Sequence, residues 1–232
     1  MERKQLHIMA IGAHIGDVEL TCGKVLAKHS LLGDKIMTVA MTAGERGCPP
    51  GYTIDEFKEK NIKSAAEFAA MLGGESLVMD FRDGEVVESE DIKFKLCDII
   101  RQYKPDVLLT HWKNSMHKDH VTTHKIVIDA HFYAALKTIE RDLPFHWARG
   151  PYFAENWEDS KDFDPYTFVD VTDGYELWEK AIKCLWLSTN AKFKYLEYYD
   201  ALSRSRGILI GKERAEVYAV DPLSKRQILN SF

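Results

Sequence analysis

The order of apolar segments along the chain restricts its fold more than any other feature of the sequence. Four short apolar segments typical of buried strands lie at residues 7–11, 35–42, 76–81 and 106–110. Segments with helical spacing follow them, at residues 17–32, 55–72, 90–103 and 121–136. Strands and helices that alternate at this spacing form βαβ units. The sequence therefore predicts an α/β fold with a doubly wound, mostly parallel sheet and helices on both of its faces.

The pattern is weaker after Arg141. Further strands are predicted at residues 151–155, 167–171 and 215–220, and further helices at residues 174–187 and 194–204. No internal repeat and no convincing linker divides the chain, and 232 residues are enough to form one hydrophobic core. We therefore predict a single domain that spans residues 1–232.

Charge and cysteine usage restrict the class of protein. The formal net charge is −5 at pH 7, so the chain has no general attraction for nucleic acid or anionic lipid. No apolar segment approaches the length of a membrane span, and no apolar signal core follows the charged N-terminus. The four cysteines lie far apart without a C-x-x-C pair, which suits free thiols in a reducing compartment. These observations predict a soluble cytoplasmic protein that binds neither nucleic acid nor membrane.

Residues 12–19, with the sequence GAHIGDVE, form the first segment whose side chains could bind a ligand or take part in catalysis. They lie where the first predicted strand ends and the first helix begins. In open α/β sheets, ligands bind at this carboxyl edge of the strands. His14 and Asp17 could supply a nitrogen and an oxygen ligand there, although Asp17 could equally cap the helix.

A second polar segment, HKDH at residues 117–120, follows the fourth predicted strand. Two histidines that flank an acid can provide a ligand, a proton-transfer group and a carboxylate. Taken alone, the segment could also be a polar loop with hydrogen-bonded imidazoles. Taken with the first segment, it predicts two histidines and one carboxylate at one edge of the sheet, a set that suits zinc or another first-row metal.

The two segments resemble the A-H-P-D-D-x-E and H-x-D-H motifs of the LmbE-like/PIG-L N-acetylglucosaminyl deacetylase family. Residues 42–47 (TAGERG), 80–84 (DFRDG) and 170–172 (DVT) are similar to further motifs of that family, and they occur in the expected order. The resemblance covers most of the chain. It implies a Rossmann-like fold and hydrolysis of an N-acetyl group, usually from an N-acetylglucosamine moiety or its conjugate.

Matched position by position, the resemblance implies a metal site and a proton donor. His14, Asp17 and His120 become ligands of a divalent metal, zinc in the first place, with iron or manganese as alternatives. The metal would polarise the acetyl carbonyl and activate a water molecule. His117 would protonate the leaving amine or support the oxyanion, and Asp119 would orient His117. The family also suggests a homo-oligomer.

Three further residues are candidate substrate contacts. Glu45 and Arg46 follow the second strand and face the expected crevice, although they could also form a loop ion pair. Asn61 or Lys60 falls where the family usually has an arginine that contacts sugar hydroxyls, and Asn61 is taken as the candidate. His111 and Trp112 end the fourth strand and could line the pocket, but a buried tryptophan at a strand end is more often part of the core.

Gly16 is the position at which the resemblance fails. The family has an aspartate there that acts as the general base, and losing such a base typically costs about a hundred- to ten-thousandfold in rate. Three interpretations stay open: another group such as Glu45 or His117 takes the proton, the protein is a silent relative that binds a sugar or amide, or the chemistry has changed. The sequence favours a metal-dependent N-deacetylase, with an inactive metal-containing binding protein as the alternative.

Overall fold

A seven-stranded sheet runs through the centre of the protein, which we describe for residues 3–225 from a computed structural model. The strands lie in the order β3-β2-β1-β4-β5-β7-β6. Their bounds are β1 His7–His14, β2 Lys35–Thr42, β3 Glu75–Phe81, β4 Val107–His111, β5 Arg149–Ala154, β6 Thr167–Asp170 and β7 Ala215–Ala219. β1 to β5 are parallel, whereas β7 is antiparallel to both β5 and β6. The mostly parallel sheet confirms the predicted fold class.

Eight α-helices surround the sheet in the described residues. They are α1 Asp17–Thr21, α2 Gly23–Leu31, α3 Ile54–Met71, α4 Glu90–Tyr103, α5 Lys118–Ala135, α6 Tyr175–Ala181, α7 Trp186–Asn190 and α8 Tyr195–Ile208. The helix predicted at residues 17–32 is therefore two helices, which meet at Cys22. None of the helices within residues 3–225 combines the length and the apolar character that crossing a membrane requires.

Local sequence explains where the long helices begin. Thr53 precedes α3, and its hydroxyl accepts a hydrogen bond from the Glu56 backbone N–H, while the Glu56 carboxylate accepts one from the Thr53 N–H. This reciprocal capping box satisfies backbone donors that have no partner inside the helix. Ser89 caps α4 in a similar way by accepting from the Ile92 N–H.

The hydrophobic core has two halves, one on each face of the sheet. Successive residues of a strand point to opposite faces, so Ile8 of β1 packs with α2, α3 and α6, whereas Met9 packs with α4 and α5. β1 is buried along almost its whole length, as expected for a central parallel strand covered on both sides. Burial on both faces explains why its sequence is a nearly continuous apolar run.

Candidate metal centre and active site

The candidate site lies at the carboxyl ends of the central strands. β1 pairs with β2 on one side and with β4 on the other, so the direction of winding changes at β1. A crevice forms at the carboxyl ends of the strands at such a switch point. Polar residues from the ends of three strands, β1, β3 and β4, and from the start of α5 meet there: His14, Asp17, Asp83, His111, His117, Asp119 and His120.

The carboxylate of Asp17 joins three imidazoles. Its Oδ2 atom lies 3.2 Å from His14 Nδ1, 3.3 Å from His120 Nε2 and 3.2 Å from His111 Nε2. Burial alone would raise the pKa of Asp17, but the charges of His120 and His14 outweigh it and hold this pKa well below its ordinary value. The structure therefore brings together the three residues predicted to bind metal, His14, Asp17 and His120, and adds His111.

Carboxylates also surround the other side of His14. Its Nε2 atom lies 3.2 Å from Asp83 Oδ1 and 3.5 Å from Asp119 Oδ2. Burial disfavours the imidazolium, but Asp17, Asp119 and Asp83 outweigh burial and raise the pKa of His14 to about 12. For His120, burial likewise lowers the pKa, but the charge of Asp17 outweighs burial and the pKa is raised to about 10. The site thus concentrates negative charge and favours positive charge at its centre.

The donor set fits a divalent metal. Donor atoms of His14, His117 and His120 lie within 4.8 Å of one another, and so do those of Asp17, His111 and His120. Among the described residues, His14 Nε2 and Asp119 Oδ1 are buried and have no hydrogen-bond partner. Buried polar atoms without partners are rare in folded proteins, and an ion is one explanation for them. Imidazole nitrogens with carboxylate oxygens are a ligand set that zinc and other first-row metals accept.

His117 and Asp119 are close together, but not in the predicted arrangement. His117 Nδ1 accepts a hydrogen bond from the Asp119 backbone N–H at 3.2 Å. The Asp119 carboxylate instead accepts from the Gly84 N–H at 2.7 Å and faces His14. Residues two apart at the start of a helix do not face each other, which explains the difference. Asp119 therefore contacts His117 through its backbone, and its carboxylate belongs to the cluster around His14.

His111 belongs to the polar cluster, whereas its position at the end of β4 predicts only that it could line the pocket. Its ring stacks on His120, with centroids 4.1 Å apart and planes at 15°. Its Nε2 atom accepts from the Ala13 N–H at 2.9 Å. Its place at the carboxyl end of β4 was the signal that could have assigned it to the centre. The neighbouring Trp112 packs against Phe153 instead, as a core residue does.

The three predicted substrate contacts have different environments. Arg46 and Asn61 line the crevice; Asn61 is buried and donates to the Ala43 carbonyl at 2.9 Å. Glu45 is not one of the described residues that line the crevice. Its Oε1 atom instead accepts a hydrogen bond from the Asp83 N–H at 2.9 Å. The structure thus differs from the prediction at Glu45, because this buried side chain supports the turn that carries Asp83.

A cavity of about 490 Å³ opens above the polar cluster. Five aromatic side chains also line it and are called the aromatic wall below: Phe57, Trp157, Trp186, Tyr195 and Tyr199. Gly16 lies at the cavity with a φ angle of 110°, and a Cβ atom there would lie 2.1 Å from Leu187 Cδ2. The space beside Gly16, where the resemblance to the family would place an aspartate side chain, therefore holds the end of the Leu187 side chain, which also lines the cavity.

Fold and site together define an α/β protein with a buried histidine–carboxylate centre suited to a divalent cation. The PIG-L family model, described as GlcNAc-PI de-N-acetylase, matches residues 9–131. This protein belongs to the PIG-L family, which confirms the family resemblance of the sequence motifs.

Two relatives of known activity show the range of chemistry in this family. The chain is 25% identical over 217 residues to the 4-oxalmesaconate hydratase of Pseudomonas putida, and the match covers 90% of this chain and 82% of that enzyme. It is 30% identical over 151 residues to the mycothiol S-conjugate amidase of Streptomyces coelicolor, covering 54% of this chain and 52% of that enzyme. Relatives of this protein thus include both a hydrolase and a hydratase.

Solved structures confirm the fold. The conserved protein TT1542 of Thermus thermophilus superposes with a TM-score of 0.83 at 24% identity, covering 98% of this chain and 100% of that one. The 4-carboxy-2-hydroxymuconate hydratase GalB of Pseudomonas putida gives 0.86 at 20% identity, with the same coverage of 98% and 100%. The N,N'-diacetylchitobiose deacetylase of Pyrococcus horikoshii gives 0.81 at 22% identity, covering 93% and 84%.

Proposed function

We propose that this protein uses a divalent metal to add water to a carbon–carbon double bond of a small unsaturated carboxylic acid. Position 16 carries the proposal. Gly16 has no side chain, and Leu187 occupies the adjacent space where the deacetylase motif has its general base. A site built in this way lacks the proton acceptor on which amide hydrolysis in this family depends.

The alignment with a hydratase supports the same reaction class. The 4-oxalmesaconate hydratase aligns with 90% of this chain, whereas the amidase aligns with 54%. Hydratases add water to a double bond, and the substrate that gives this relative its name is an unsaturated carboxylic acid. The two enzymes share a family with deacetylases, so a change of reaction within one fold has a precedent here.

The metal is proposed to lie between His14, Asp17 and His120, whereas His111 lies beside Asp17 with its Nε2 lone pair engaged by the Ala13 N–H. The short distances from Asp17 to the three imidazoles support this site. A divalent cation would supply Lewis acidity, polarising an oxygen of the substrate and making water more acidic. Zinc is the first candidate because the donors are nitrogen and oxygen, and iron and manganese remain alternatives.

His117 is proposed as the proton carrier. Hydration breaks one O–H bond of water and the π bond of the alkene, and it forms one C–O and one C–H bond, so a side chain has to receive and return a proton. His117 lines the cavity, and its Nδ1 atom already accepts the Asp119 N–H. The neutral ring therefore carries its proton on Nε2. After the ring takes up the proton that water releases, the imidazolium can donate one proton to carbon and return to its neutral form.

Arg46 is proposed to bind a carboxylate of the substrate. It is the one lysine or arginine among the described residues that line the cavity. A guanidinium offers two parallel N–H groups that match a carboxylate. Arg46 also pairs with the exposed Glu85, and a substrate carboxylate would have to compete with this surface contact.

N-deacetylation of an amino sugar is the second candidate, and the aromatic wall favours it. Aromatic side chains such as Trp186 and Trp157 can pack against the apolar face of a sugar. Both reactions would use the same residues. His14, Asp17 and His120 would hold the metal, and in deacetylation His117 would protonate the leaving amine. Only the general base of the deacetylase motif is missing.

One assay separates these reactions. The protein is loaded in turn with zinc, manganese and iron and offered two substrate sets: 4-oxalmesaconate with other conjugated unsaturated acids, and N-acetylated sugars and amides. Loss of the conjugated ultraviolet absorbance without acetate release is the expected result. Acetate release without hydration would support the second candidate.

Controls tie the activity to the site. His120→Ala should abolish turnover, whereas His146→Ala should not, because His146 contacts the Pro105 carbonyl at the opposite, amino end of β4. Chelator should abolish turnover as well. Tight metal binding with neither reaction would favour an inactive binding protein, and full activity of His120→Ala would refute the site.

A further inference from the structure

A second set of polar groups lies on the far side of His120. The Nε2 atom of this imidazole faces Asp17 at 3.3 Å, whereas Nδ1 faces Glu158 Oε2 at 3.8 Å and Asp159 Oδ1 at 3.9 Å. The Ser115 hydroxyl is also near, 3.2 Å from Nδ1. The two ring nitrogens of His120 therefore meet two different environments.

Asp159 is the unusual member of this set. Its side chain is completely buried, and both of its carboxylate oxygens lack a hydrogen-bond partner among the described residues. A buried carboxylate without partners is costly and persists only where it serves an interaction. The structure pairs it with the His120 imidazole. Glu158 differs, since it is only partly buried and lines the open cavity.

We infer that Asp159 is a positioning residue for the metal centre: its charge holds the Nδ1 proton of His120, so that the Nε2 lone pair is available to a cation held beside Asp17. A histidine that binds metal through one nitrogen commonly donates its other N–H to a carboxylate, which fixes the tautomer and the ring orientation. At 3.9 Å the contact is electrostatic rather than a hydrogen bond. This inference depends on the metal site of the proposed function, but not on which reaction the site performs.

Ser115 is the competing explanation. Its hydroxyl is closer to Nδ1, and it also accepts from the His117 N–H at 3.1 Å. A hydroxyl is neutral, however, and does not explain why a carboxylate is buried without other partners. If Ser115 alone oriented His120, then removing the charge of Asp159 would leave metal affinity unchanged.

The test replaces the carboxylate by an amide of the same shape. Asp159→Asn should weaken zinc binding by about 10- to 100-fold, the range typical of a lost outer partner of a ligand histidine. The melting temperature of the metal-free protein should stay the same or rise, because the amide removes a buried charge whose two oxygens accept no hydrogen bond. Zinc affinity is measured by competition with a chromophoric chelator, and the visible absorption of the Co²⁺ form reports the geometry at the ligands.

Three further variants complete the experiment. Asp162→Asn is the matched control in the same loop and is exposed, so it should leave zinc affinity unchanged. Asp159→Glu retains the charge and should recover part of the affinity, while Ser115→Ala should weaken binding less than Asp159→Asn.

The results that overturn the inference are distinct. Unchanged affinity in Asp159→Asn would refute it, and so would a fall in metal-free melting temperature, which indicates a structural role. A wild-type protein that binds no metal would refute both this inference and the metal site. Normal metal binding without hydration or deacetylation would refute the proposed function and leave this inference standing.

Discussion

The Cδ2 atom of Leu187 lies 2.1 Å from the place that a Cβ atom on Gly16 would occupy. Gly16 also has a φ angle of 110°, in a region that side-chain-bearing residues rarely adopt. The sequence comparison suggests restoring the missing base with Gly16→Asp. The structure predicts that this variant does not gain acetate release, because a side chain at this φ angle strains the backbone, at a cost of about 1–3 kcal/mol, and because the new Cβ atom requires the end of the Leu187 side chain to shift. Acetate release and melting temperature measure the two effects.

Gly16→Ala is the matched control for that variant, because it introduces the same Cβ atom without a carboxylate. Both substitutions should lower the melting temperature. Combining Gly16→Asp with Leu187→Ala removes the clash and should recover part of the lost stability, although the positive φ angle remains. A single Gly16→Asp variant that releases acetate faster at an unchanged melting temperature would contradict this account.

Arg46→Ala tests whether the substrate carries a carboxylate. Hydrogen bonds to charged groups contribute about 1.5–3 kcal/mol, so KM for an unsaturated acid should rise by roughly 10- to 150-fold with kcat less affected. Turnover of a neutral N-acetylated sugar should change little. Steady-state kinetics on both substrates give the comparison. Arg82→Ala is the control, because Arg82 does not line the cavity; equal effects of the two variants would contradict a specific contact.

The central part of the fold could be predicted from the sequence because its strands are buried on both faces and form nearly continuous apolar runs. β1 and β4 ended where predicted closely enough to place His14 and His120 at one edge of the sheet. The order of the last strands could not be predicted, since β7 inserts between β5 and β6. That pairing depends on contacts between distant residues rather than on a local pattern.

The site, like the fold, could be predicted where the first half of the chain contributes to it, but not where the second half does. Turn and loop motifs identified the residues that the first half of the chain contributes, but Leu187 and Asp159 reach the site from the second half, where the pattern is weak. Neither belongs to a motif. The position of Glu45 after β2 predicts a place in the crevice, but a side chain in such a loop can turn inwards, and this one accepts a hydrogen bond from the Asp83 N–H.

Glu216→Ala should destabilise the protein strongly. The buried Glu216 carboxylate accepts from the backbone N–H groups of Lys24 and Val25, both at 3.0 Å, and lies 3.5 Å from Lys24 Nζ. It thereby joins β7 to the first turn of α2, whose N–H groups have no partner within the helix. Removing one member of a buried ion pair costs about 3–5 kcal/mol. Urea unfolding measures the loss.

Two comparisons make the Glu216 result specific. Glu216→Gln keeps the shape and one acceptor oxygen, so it should cost less than the alanine variant. Glu213→Ala should be nearly neutral, because Glu213 is exposed two residues before β7. A Glu216→Ala variant as stable as Glu213→Ala would show that the link between β7 and α2 contributes little.

Asp34 should make stability depend on pH in the acid range. Burial opposes its ionisation, but Arg3, the Leu6 N–H and His29 outweigh burial and lower its pKa to about 2 from the ordinary 3.8. Because the folded pKa is the lower one, the stabilisation is complete above about pH 4 and disappears as the pH falls towards 2. Asp34→Asn should therefore lower the free energy of unfolding at pH 7, and this loss should shrink as the pH falls from about 4 to about 2. The exposed Asp142→Asn should show no such trend. Urea titrations at each pH provide the measurement, and a deficit in Asp34→Asn that stays constant down to the lowest pH would contradict the role of its charge.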